Sequence, residues 1–68
     1  MKPTPAQRKV LELLADGGVM ESGYRCFYVG TRIVLDKMQA ALSRMGWIHR
    51  YYSGEYRITD AGLEAIGR

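Results

Sequence analysis

The chain has 68 residues, a length that supports one small hydrophobic core and leaves no room for a second. Ten Lys and Arg against seven Asp and Glu leave a net charge of +3, a balance that permits a nucleic-acid partner without requiring one. Cys26 and His49 are the only residues of their types, which excludes an intramolecular disulfide and a Cys/His zinc site, so no cofactor is expected.

Met1 to Gln7 has no apolar run behind Lys2, and no stretch elsewhere is long and apolar enough to span a bilayer. A lone thiol without a secretory signal is the ordinary state of a cytosolic protein, and a cytoplasmic location away from membranes is the expectation. There is no repeat, low-complexity tract or linker, so residues 1–68 read as a single domain. A core of this size supplies only about 3 to 5 kcal/mol, which makes a homodimer one route to added stability.

The first helix is signalled by Thr4-Pro5-Ala6-Gln7. Thr4 is suited to cap the free amides, Pro5 to occupy the first helical position, and Gln7 to reach back and complete a capping box. Ala6, Val10, Leu13 and Leu14 share one helical face, and Gly17-Gly18 stops the element, which is expected over residues 5–15. Beyond it, Tyr24, Cys26, Phe27, Tyr28 and Val29 favour a pleated setting, so one strand is expected in the second half of residues 19–29. Cys26 reads there as a small buried hydrophobe.

From Thr31, read as the cap, the period returns to helical. Val34, Leu35, Met38, Ala41, Leu42 and Met45 form one stripe, and Gly46 ends a second helix expected over residues 31–45. Residues 47–52 and 56–59 are rich in aromatic and β-branched side chains, and Ser53-Gly54-Glu55 supplies the turn of a hairpin. Thr59-Asp60 then caps a short closing helix whose Leu63 and Ile66 fold back on the core.

The order helix, strand, helix, β-hairpin, short C-terminal helix defines a small α+β domain. The segment Leu42-Ser43-Arg44-Met45-Gly46-Trp47-Ile48 resembles the end of a recognition helix entering the first wing strand of a winged helix-turn-helix domain. Tyr56-Arg57-Ile58-Thr59-Asp60-Ala61-Gly62-Leu63 is similar to the "Y-x-L-T-x-x-G" segment of MarR- and PadR-type regulators. The resemblance implies a winged-helix-type fold and a double-stranded DNA partner, as in a small transcriptional regulator. One departure is visible: the family carries a second helix before the recognition helix, and here that span holds Gly23 and an aromatic run. Either that helix is very short or an extended segment replaces it.

On this reading Arg32, Lys37, Gln39, Ser43 and Arg44 are the candidates of the second helix, because Arg, Lys and Gln pair with base edges and Ser serves base or phosphate. Asp36 and Ala40 on the same helix work against it, since a carboxylate is repelled by phosphate. The hairpin interleaves cationic and aromatic side chains, His49, Arg50, Tyr51, Tyr52, Tyr56 and Arg57, a mixture that tracks phosphates or enters a minor groove. His49, Arg50, Tyr51, Tyr52 and Arg57 are its candidate DNA contacts. Tyr24, Arg25, Phe27 and Tyr28 would mark an interaction edge if their strand were unpaired.

No catalytic constellation accompanies His49, and no phosphate loop is present, so an enzyme is not expected. The rival to DNA is a protein partner, with the same scaffold serving as an interaction module or as an accessory protein of a mobile element.

Overall fold

Residues 2–68 are described by a computed structural model. Its first element is set by the Thr4 capping box: the Thr4 hydroxyl accepts from the Gln7 amide at 3.2 Å, and the Gln7 carboxamide accepts from the Thr4 amide at 2.9 Å. Helix α1 (Pro5–Ala15) follows, with proline in its first turn. A cap of this kind is worth about 1 kcal/mol. Gly17, at φ 98°, turns the chain away from the helix. The buried residues of α1 are Val10, Leu11 and Leu14, while Leu13 is half-buried and Ala6 exposed, so the helix is rolled toward Leu11 relative to the expected stripe.

The span between the two long helices is not one strand but three. Strands β1 (Met20–Gly23), β2 (Cys26–Val29) and β3 (Arg32–Val34) form an antiparallel meander. Glycine explains the second turn: Gly30-Thr31 joins β2 to β3, and Gly30 stands at φ 63° in the first central position, which a type II′ turn reserves for glycine. Arg32, Ile33 and Val34 are thereby sent back along β2, and Ile33 and Val34 are β-branched residues that suit that setting.

Helix α2 is accordingly shorter than residues 31–45 and runs Asp36–Arg44. Thr31 is not its cap. Leu35 holds that position without a side-chain acceptor and is 66% exposed, so it leaves the expected apolar stripe. Val34 passes to β3, and the stripe is otherwise kept by Leu42, fully buried, and by half-buried Met38, Ala41 and Met45.

Strands β4 (Ile48–Arg50) and β5 (Tyr56–Ile58) form the expected hairpin, and helix α3 (Asp60–Ala65) closes the fold. The sheet has the order β3-β2-β1-β5-β4, antiparallel throughout, with its two halves bridged at Met20↔Tyr56. Directly paired residues share a face and neighbours along a strand alternate. One face therefore carries Met20, Val29, Val34 and Ile48, all buried with Leu11, Leu14, Leu42, Trp47 and Ile66. Phe27 and Tyr56 meet edge to face on the same side at 5.6 Å. No polar or charged residue is buried among those described.

The C-terminal residues are tied to α1. Arg8 Nη1 donates to the Ile66 carbonyl at 3.0 Å, and the Arg68 guanidinium meets Asp16 at 2.8 Å. That carboxylate raises the Arg68 pKa, first by hydrogen bonding and then by its charge. No helix among the described residues is long and apolar enough to cross a membrane.

Candidate functional site

Among the described residues, the other face of the sheet carries no helix. Its rows follow from the register: Glu21, Tyr28 and Ile33 in one, His49 and Arg57 in another. Tyr51, two residues beyond His49, joins the second row. Its ring meets the His49 ring edge-on at 5.7 Å, and the Arg57 guanidinium lies over it at 5.5 Å. Arg50 pairs with Tyr56 and belongs to the opposite face, yet it is exposed because no helix covers that end of the hairpin.

The hairpin tip is a three-residue loop, Tyr52-Ser53-Gly54. Tyr51 N–H donates to the Glu55 carbonyl at 2.7 Å and Gly54 N–H to the Tyr51 carbonyl at 2.8 Å, with Gly54 at φ 94°. That is the tight turn followed by a left-handed residue that such loops require. Tyr52, at its summit, is fully exposed.

Glu55 organises the base of the tip. Its carboxylate accepts from Ser53 Oγ at 2.6 Å and from Arg57 Nε at 2.7 Å. The Ser53 hydroxyl first, and then Arg57, hold the Glu55 carboxyl below the usual carboxylate range. Arg57 is therefore partly neutralised where it stands. Arg8 and Arg68 are similarly engaged, by Glu12 and Asp16. Among the described residues Arg25, Arg32, Lys37, Arg44 and Arg50 have no ion pair.

Residues 31–45 were expected to present five candidate side chains from one helix, and the structure divides them. Arg32 lies on β3 and not on α2. Lys37 and Arg44 are exposed and seven residues apart, two turns along one face of α2, with exposed Asp36 and Ala40 between and beside them. Gln39 and Ser43 are half-buried and bonded to each other, Nε2 to Oγ at 2.9 Å, which occupies one donor of the amide. Arg32 and Lys37 are brought together across a groove of about 440 Å³, whose apolar wall includes Val10, Val34 and Met38.

The edge expected at residues 24–28 is not free, because β2 is paired on both sides, to β1 and to β3. Cys26 is half-buried, on the face without helices, and not a core hydrophobe. Its side chain raises the pKa of the Tyr28 hydroxyl, first by hydrogen bonding, then by charge, with desolvation adding to it. The Tyr28 ring lies over Gly23, where a Cβ would strike it. Among the described residues no group of three or more His, Cys, Asp or Glu could hold a metal ion.

Two residues expected on an interaction edge and not among the DNA contacts, Tyr24 and Arg25, form the β1–β2 turn. Tyr24 is 83% exposed and the Arg25 guanidinium lies over its ring at 5.2 Å. Arg25 has φ 62°, alone among the described non-glycine residues in being positive. Nothing in Gly-Tyr-Arg-Cys signals that turn, since its second central position is one where glycine or asparagine is usual.

No protein family, curated protein or solved structure matches the chain.

Proposed function

We propose that this chain is a small DNA-binding domain of the winged-helix type, of the kind transcriptional regulators carry. In this reading α2 approaches the major groove with Lys37 and Arg44, and the β4–β5 hairpin is the wing. In the same reading the β2–β3 hairpin takes the place of the family's second helix. One observation carries the reading: Arg50 at the end of β4 and Tyr52 at the hairpin summit are exposed, one a cation without an ion pair, the other an aromatic with no burial, and neither contributes to the core. A cation beside an exposed ring suits a phosphate with its sugar, or a minor groove.

The test is a titration of duplex DNA at several salt concentrations. Arg32, Lys37, Arg44 and Arg50, the unpaired cations nearest α2 and the wing, would displace about four counterions, for a log-log slope near −3.6. A flat response would sink the proposal.

A second reading has its own observation. Ile33 is 59% exposed beside the outer, unpaired edge of β3, a feature that suits a protein contact through added strand pairing. The two readings separate on the double change Arg50→Ala and Arg57→Ala, which should weaken duplex binding and make its salt slope shallower, and leave a contact through β3 intact.

A further inference from the structure

β1 and β5 are antiparallel and bridged at Met20↔Tyr56. As β1 leaves Met20 it therefore heads for the end of the sheet from which β5 has come. Tyr24 lies four residues beyond the bridge and Ser53 three residues before it, about 13 and 10 Å of extended chain, so the two hairpin tips reach similar heights. They flank one cleft of about 470 Å³, lined by Glu21 and Ser22 on one side and by Arg50, Ser53, Gly54 and Glu55 on the other. β3 runs antiparallel to β2 and ends at this same end, with Val34 opposite Phe27, so α2 also begins here.

Both tips carry the same device. Arg25 lies over Tyr24 at 5.2 Å, and Arg57 lies over Tyr51 at 5.5 Å. A guanidinium resting on a ring is held in place while its N–H edges stay available to a phosphate. Arg25 differs in having no carboxylate partner, whereas Arg57 is held by Glu55. Its backbone adds a second argument. At φ 62° glycine would sit without penalty, and arginine there is strained by about 1 kcal/mol. A strained residue at an exposed tip, aimed the same way as the wing, is an outlier that points to use.

We propose that the β1–β2 turn is a second wing: Tyr24 and Arg25 grip the phosphate backbone of the same duplex that the β4–β5 tip engages, so that the DNA lies across both tips. The inference rests on the DNA-binding reading. Glu21 and Glu55 in the cleft define the geometry, since they keep phosphates on the tips and out of the space between them.

The full chain is titrated against a mixed-sequence DNA duplex by fluorescence anisotropy, at several salt concentrations, as parent, as Arg25→Gly, as Tyr24→Ala and as Arg50→Ala. Glycine relieves the positive φ, so Arg25→Gly keeps the fold, which a thermal melt verifies. The expected result is an affinity about three- to tenfold lower for Arg25→Gly, with a salt slope shallower by about 0.9, as for the loss of one phosphate contact. Tyr24→Ala should weaken binding with little change of slope. If Arg50→Ala weakens binding while Arg25→Gly and Tyr24→Ala match the parent, the second wing is overturned and the DNA-binding reading stands. If the parent itself does not bind, both are overturned.

Discussion

Gly62 in α3 lies directly against the Trp47 carbonyl, so close that a Cβ at this position would overlap the oxygen and the Ile58 side chain. The first of these is backbone and cannot swing aside. Gly62→Ala should therefore force α3 off the β4 entry and destabilise the domain by about 1 to 3 kcal/mol, the usual cost of overpacking. Urea unfolding should report it as a lower midpoint at unchanged m-value. An unchanged midpoint would mean that the approach is looser than described.

Thr59 acts on the same junction through hydrogen bonds. Its hydroxyl donates to the Gly46 carbonyl at 2.6 Å and accepts from the Gly62 amide at 3.1 Å, joining the end of α2 to the start of α3. Thr59→Val keeps the shape and deletes both bonds. A loss of about 1 to 2 kcal/mol is expected, with Thr59→Ser close to the parent. Equal stability of the Val and Ser variants would refute the capping role.

Leu35 occupies the N-cap of α2 with no acceptor to offer and with 66% of its surface in water. Little apolar burial is lost by replacing it. Leu35→Ser supplies an oxygen for the free amides of the first turn and should stabilise the domain by about 0.5 to 1 kcal/mol in a chemical melt. A loss of stability instead would show that Leu35 is buried in solution, as a dimer contact across the neighbouring groove would require.

Where structure was legible in the residues, it was because one local interaction decided it. Thr4 with Gln7, Gly54 in the hairpin tip, and Thr59 before the closing helix each settle their element without help from the rest of the chain. The span from Met20 to Leu35 is not legible in this way, because its outcome is tertiary. Val34 and Leu35 fit a helical stripe with Met38 and Leu42, but pairing of Phe27 with Val34 and Tyr28 with Ile33 draws Val34 into the sheet and leaves Leu35 outside α2, at its N-cap. Arg32 went with them, and so left the candidate helix face. The hairpin candidates are legible as a group, whereas Tyr24 and Arg25 are legible only as part of a strand edge and not as a turn, because only the Met20↔Tyr56 bridge turns their tip toward the same end.

Glu55 yields the last prediction, because one carboxylate both steadies the β4–β5 tip and restrains Arg57. Its acidity is held below the ordinary carboxylate range by Ser53 and then Arg57. The stability it contributes is thus present above the unfolded carboxylate pKa and is lost as pH falls through the lower, folded value. Glu55→Gln should leave a domain whose melting midpoint falls less steeply between neutral and acid pH than the parent's. On the DNA-binding reading the same change has the opposite sign for affinity: it removes one negative charge, taking the net from +3 to +4, and frees the Arg57 guanidinium at the wing. Duplex binding should tighten, and the log-log salt slope should steepen by about 0.9 for one added phosphate contact. Unchanged affinity with a flattened acid profile would confine Glu55 to stability and remove Arg57 from the contact surface.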